Sequence, residues 1–145
     1  MTVGRICVRE VDVVEPEESA QTAAQRMHSR KVGTLVVRDD RGKPIGIVTD
    51  RDPAVRVLAE ARDPFQTLIR DIMTPWPHTV SEDTPLEEAL AVMRTGQFRR
   101  IPVVDEEGTL AGLLSLDDIL SLLAEEFSEI GMLINQESPS SLAKS

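Results

Sequence analysis

The chain has 145 residues, 41% of them apolar, and a formal net charge of −9, enough to bury one compact core or two very small lobes sharing one. The acidic excess excludes a general nucleic-acid surface, which needs clustered Lys and Arg against phosphate, and it disfavours anionic membranes. No apolar run approaches the roughly 18 residues that span a bilayer, and a single cysteine, Cys7, with two histidines, His28 and His78, permits neither an internal disulfide nor a structural zinc site.

The N-terminal stretch MTVGRICVREVDVVE lacks the basic start and apolar core of a signal peptide, so a cytoplasmic location is expected. Cys7 reads as a small buried hydrophobe. Ala20, Ala23, Ala24 and Met27 fall at i, i+3, i+4, i+7, which predicts an amphipathic helix with its methionine in the core. A short β-rich run follows, LVV at Leu35 to Val37, then a turn DDRG, then a second run, PIGIV; together they predict a hairpin. Gly42 supplies the positive φ of that turn, and Gly46, inside the second run, marks a close approach to the backbone.

The second run leads into GIVTDRD, Gly46 to Asp52, where a strand gives way to a helix. Thr49 and Asp52, three apart, suit a reciprocal helix cap. A hydroxyl and a carboxylate at a helix N-terminus also suit a phosphate and a ribose, though on this stretch alone capping is the favoured reading. Arg62 to Pro77 then holds three prolines and LIRDIMT, a linker with a short helical turn.

The remainder repeats the beginning. GIVTDRD recurs as GLLSLDD, Gly112 to Asp118, and at that one offset of 66 positions Ala23 falls on Ala89, Met27 on Met93, Val37 on Val103, Gly42 on Gly108 and Asp52 on Asp118. Leu86, Ala89, Leu90 and Met93 carry the second helix stripe, IPVV at Ile101 to Val104 and LAGLL the second hairpin, and Gly108 and Gly112 its turn and close approach. Beyond this copy, Leu120, Leu123, Phe127, Ile130 and Ile134 extend an apolar stripe suited to an intersubunit contact or to docking on the same chain. The final ESPSSLAKS reads as frayed. The boundaries expected are a first repeat over 1–61, a linker over 62–77, a second repeat over 78–124, and a helical extension and tail over 125–145.

The ordered set of the repeat, the two Gly-apolar-apolar-Ser/Thr-x-x-Asp segments, RRIPVVDEEG and DIMTPWPHTVSEDTPLEEALAVM resembles the cystathionine-β-synthase (CBS) domain pair, from about Val11 to Leu123. The resemblance implies an α+β fold of two pseudo-symmetric β-α-β-β-α lobes packed sheet to sheet with two clefts between them. It also implies a homodimer and regulatory binding of an adenosine-containing ligand: AMP, ADP, ATP or S-adenosylmethionine. By that resemblance Ser115 would touch phosphate and Asp118 would accept the ribose hydroxyls. The adenine would lie around Thr34 and Val36 of the other copy, and Arg99 and Arg100 would meet phosphate, with Arg51 in reach.

The pseudo-equivalent cleft would use Thr49 and Asp52, with Arg51 in reach and Thr79, Ile101 and Pro102 near the base. Here the sequence departs from the family pattern. Pro53 follows Asp52 and biases it away from helical φ/ψ, and Gly33 and Thr34 stand where the other cleft has two arginines, so the Asp118 cleft ranks first. Catalysis is not expected, because His28, between Met27 and Ser29, and His78, at the edge of the proline-flanked linker, pair with no nucleophile. No required cofactor and no metal are expected. An effector protein is implied but not identified, and the alternative function is a ligand-free interaction or scaffold dimer.

Overall fold

Two hairpins of the same register form the frame, one per repeat. The computed structural model describes residues 1–75 and 78–136; the end of the expected linker, at 76 and 77, and the expected frayed tail, at 137–145, lie outside the described residues. After a 3-10 turn at Val3–Arg5 come β1 (Val13–Val14), α1 (Ala20–Arg30), β2 (Thr34–Arg38), β3 (Pro44–Thr49) and a π-helical turn at Pro53–Leu58. Next are α2 (Ile69–Ile72), β4 (Thr74–Pro75), β5 (Val80–Ser81), α3 (Leu86–Gly96), β6 (Arg100–Val104), β7 (Leu110–Ser115) and α4 (Leu116–Gln136). One sheet has the order β1-β2-β3-β4 and the other β5-β6-β7.

The offset of 66 survives in geometry. Thr34 pairs with Thr49 as Arg100 pairs with Ser115, and the register shifts at Val37/Arg38 as it does at Val103/Val104. In each hairpin turn one carboxylate holds the loop: Asp39 Oδ1 accepts from the N–H groups of Arg41 and Lys43, and Asp105 Oδ1 from those of Glu107 and Thr109. Gly42 and Gly108 follow at φ 79° and 82°, as the turn chemistry predicts. The two turns touch, Leu110 N–H donating to Gly42 O at 2.9 Å, so the opposite ends of the strands, at Thr34, Thr49, Arg100 and Ser115, are left to frame a site.

The helix stripes bury as the periodicity predicts. Ala20, Ala23 and Met27 of α1 pack with Leu35, Val37 and Val48, while Ala89 and Met93 of α3 pack with Ile101, Val103 and Leu114. Ser19 caps α1, its hydroxyl accepting from Thr22 N–H at 3.1 Å. Both helices end on a non-glycine residue in the left-handed region, Lys31 and Gln97, each at φ 57°; Gly96, the last residue of α3, stands one position before the second of these stops.

The repeats exchange their leading segments. Val3, near the start of the first repeat, is buried in the core of the second lobe with Val80 and Ile119. Val8 pairs with Leu113 there, each N–H donating to the other's carbonyl at 2.9 Å. In return Ile69 and Ile72, inside the expected linker, are buried in the first lobe, and Thr74 pairs with Ile47 of β3. This explains the strand glycines: a Cβ on Gly46 would sit 2.7 Å from Met73 Sδ, and one on Gly112 would sit 2.8 Å from Cys7 Sγ and 2.9 Å from Val8 O. What approaches each backbone is the other copy's leading segment.

Two expectations are corrected. Asp52 is helical, at φ −62° and ψ −48°: Pro53 opens the turn at a position whose N–H has no intrahelical partner. The chain then closes i→i−5 bonds, Ala59 N–H to Ala54 O at 3.0 Å and Arg62 N–H to Val57 O at 2.9 Å, the wider π geometry. The corresponding α4 instead runs through Gln136. Its stripe stays in solvent, with Leu120 54%, Phe127 71%, Ile130 50% and Ile134 64% exposed, so it does not dock on its own lobe.

Candidate functional site

A cleft of about 440 Å³ opens at the strand ends away from the hairpin turns, lined from both lobes. The second lobe contributes Arg100, Leu113, Ser115 and Asp118, and the first contributes Val32, Gly33, Thr34, Thr49 and Asp50. The crossing segment that follows Val8, with Glu10, Val11 and Asp12, completes the wall. That segment leaves the second sheet at Val8 and enters the first as β1, so the exchange of leading segments builds the cleft.

Ser115 closes β7 and Asp118 lies in the first turn of α4. Ser115 Oγ–H donates to Asp118 Oδ2 at 2.7 Å while Asp118 N–H donates to Ser115 Oγ at 3.1 Å. The hydroxyl caps the helix, and the half-buried carboxylate keeps its second oxygen without a protein partner among the described residues. A carboxylate with a spare oxygen at a cleft edge is an acceptor suited to two neighbouring hydroxyl donors. Arg100, opposite Ser115 in the β6–β7 register, brings the positive charge that a phosphoryl group pairs with.

The first copy uses the same residues differently. Asp52 Oδ2 accepts from Thr49 N–H at 2.8 Å, and Asp52 Oδ1 faces Arg56 Nε at 3.5 Å. The position equivalent to Arg56 is Leu122, so Asp118 has no such cation four residues on. Asp52 is therefore occupied by its own helix start, whereas Asp118 faces the cleft.

The structure redistributes the other candidates. Thr34, Arg100, Ser115 and Asp118 meet in one cleft, and Thr49, expected in the second, lines this one as well. Arg99 does not line it: it precedes β6 and its Nη2 lies 3.6 Å from Asp117 Oδ1, with both side chains about 70% exposed. Val36 and Ile101 have no accessible surface: β2 and β6 are buried on both faces, Ile101 packing in the core of its lobe and Val36 lying on the face opposite Leu35 and Val37, and Pro102 is buried beside Ile101. Arg51 and Thr79 are exposed and, with Asp52, Ile101 and Pro102, are not among the lining residues. Residues 76 and 77, which the offset sets equivalent to Glu10 and Val11, lie outside the described residues. Sequence reasoning missed Val8, Glu10, Val11, Asp12, Val32, Asp50 and Leu113; the adjacency of Asp50 to Thr49 was the available signal.

Two further features bear on chemistry. Cys7 is half-buried against the second core beside Gly112, and burial raises its thiol pKa. Among the described residues no cluster of His, Cys, Asp or Glu suits a metal ion, and no helix is long and apolar enough to cross a membrane.

Comparison with known proteins bears on the family and the fold. The CBS domain model matches residues 3–54 and 69–125, which include both the leading segments and the two Ser/Thr-x-x-Asp turns. The protein MK0525 of Methanopyrus kandleri is 34% identical over 122 residues, 84% of this chain and 62% of that protein, so the chain spans less than two thirds of that relative. Among solved structures, CBSX2 in complex with AMP has a TM-score of 0.70 and 28% identity, covering 86% of this chain and 97% of that one. The CBS domain pair of MJ0100 in complex with 5′-methylthioadenosine and S-adenosyl-L-methionine has a TM-score of 0.74 and 26% identity, covering 87% and 98%.

Proposed function

The chain belongs to the CBS domain family, and from that premise we propose that it is a non-catalytic regulatory module whose Asp118 cleft binds an adenosine-containing ligand. The observation that carries this reading is the pair Ser115 and Asp118 at a helix start, with Arg100 beside it, in a cleft lined by both repeats. The complexes of CBSX2 with AMP and of the MJ0100 pair with adenosyl ligands support the same class of ligand. Ser115 and Arg100 meet the 5′ substituent, Asp118 accepts the ribose hydroxyls, and the base rests against the crossing segment and Val32 to Thr34. The exposed stripe of α4 supports a homodimer, through which ligand occupancy reaches an effector protein.

A thermal-shift panel of AMP, ADP, ATP, 5′-methylthioadenosine and S-adenosylmethionine tests the reading. A ligand at a hundred times its Kd adds about 2.7 kcal/mol of stability, which for a chain of this size raises Tm by about 5–10 °C. A shift for at least one ligand supports the sensor. The absence of any shift refutes it and favours the ligand-free scaffold dimer.

A further inference from the structure

The candidate cleft is acidic. Glu10, Asp12, Asp50 and Asp118 line it, and Arg100 is the one cation among its described lining residues. Only Asp12 is neutralised at close range, by Arg30 Nε at 2.8 Å. Asp118 is shared with a neutral hydroxyl. Asp50 has no side-chain hydrogen bond or ion pair among the described residues, and its carboxylate lies over Gly33, where an added Cβ would stand 3.1 Å from Oδ2. Arg99, the second cation that the family resemblance would set at the phosphate, faces Asp117 instead. An adenosyl ligand entering here meets one guanidinium and several uncompensated carboxylates.

A single guanidinium pairs with one phosphoryl group. Each further phosphoryl group brings negative charge into a partly closed site that already holds like charge, where the repulsion is stronger than in bulk water. Resting on the adenosyl reading above, we infer that this cleft selects its ligand by charge: it takes adenosyl compounds with a neutral or cationic 5′ substituent, or one phosphoryl group, and rejects the nucleoside polyphosphates. The carboxylates at Glu10 and Asp50 are the rejecting elements, and a sulfonium or a thioether is the 5′ group they tolerate best.

The test is calorimetric titration of the full chain with 5′-methylthioadenosine, S-adenosylmethionine, AMP, ADP and ATP, in a chelator so that no divalent cation masks phosphate charge. Affinity should fall from the sulfur compounds and AMP through ADP to ATP, with ATP weaker than AMP by about tenfold. Raising salt from about 0.05 M to about 0.5 M, which shortens the Debye length to roughly 4 Å, should shrink that gap. The double variant Glu10→Gln, Asp50→Asn should narrow it as well; both residues are exposed, and the Tm of the variant shows whether it folds. ATP binding as tightly as AMP, or a gap indifferent to salt and to both substitutions, overturns charge selection and leaves the adenosyl reading standing. No binding of any of the five removes both.

Discussion

Asp118→Asn separates the two roles one carboxylate can hold. As a capping element the side chain is easily replaced: Asp118 N–H still donates to Ser115 Oγ, and the amide oxygen still accepts the Ser115 hydroxyl that Asp118 Oδ2 accepts at 2.7 Å. The loss is one negative charge in the first turn of α4, where Asp117 remains, so the stability change should not exceed about 1 kcal/mol, a Tm shift of about 3 °C. As a ribose acceptor the residue is not replaceable, because the amide NH₂ must face one of two hydroxyl donors. Loss of the charge-assisted bonds should weaken binding by about 1.5–3 kcal/mol, between about 10-fold and 150-fold in Kd. Titration calorimetry with AMP or 5′-methylthioadenosine, on the wild type and the variant, reads this directly. Asp52→Asn is the control: it gives up a part-exposed ion pair with Arg56 at 3.5 Å worth about 0.5 kcal/mol, and it should leave affinity within about twofold. Equal losses at Asp52 and Asp118 would refute the ranking of the two positions. An unchanged Kd in Asp118→Asn, with wild-type binding established, would return Asp118 to plain capping.

Gly112→Ala should lower stability by about 1–3 kcal/mol, because its Cβ would lie 2.9 Å from the Val8 carbonyl, a backbone atom held by the Val8–Leu113 bridge; an unchanged Tm would remove the exchanged segment from the account. Glu18 accepts both Arg26 Nη atoms at 2.8 and 2.9 Å, and mainly through those bonds its carboxyl pKa is held below the ordinary 4.5. A depressed folded-state pKa contributes stability that is present above 4.5 and is lost as pH falls through the lower folded value. Denaturant titrations should therefore show Glu18→Gln less stable than the wild type by about 1 kcal/mol at pH 7, with the difference vanishing in acid; a difference independent of pH would contradict the linkage. Phe127→Glu with Ile130→Glu should turn a sedimenting dimer into a monomer without loss of helical circular dichroism, whereas a wild-type monomer at micromolar concentration would end the dimer reading.

What the sequence by itself determined was everything carried by local period and local chemistry. The offset of 66 prescribed two equivalent hairpins, the i, i+3, i+4, i+7 stripes prescribed which helix faces bury, and the left-handed turns needed Gly42 and Gly108. The Ser/Thr-x-x-Asp spacing placed a hydroxyl and a carboxylate at each helix start, since residues three apart there meet whatever the rest of the chain does. Arg99 and Arg100 are adjacent in sequence and equal in charge, and only the start of β6 decided that Arg100 lines the cleft while Arg99 turns to Asp117. Burial on both faces of β2 and β6 withdrew Val36 and Ile101 from the cleft. The equivalence of Asp52 and Asp118 ended at the next helical turn, where one has Arg56 and the other Leu122. The exchange of leading segments was beyond local pattern altogether. Val8 and Thr74 sit in stretches too short to show a strand period, and their partners, Leu113 and Ile47, lie 105 and 27 positions away. Such pairing is chosen by which core buries Val3, Ile69 and Ile72, a global competition for apolar contact that no window of the sequence contains. The acidic cleft is a product of that exchange, because Glu10 and Asp12 reach Asp50 and Asp118 only when the crossing segment spans the two lobes.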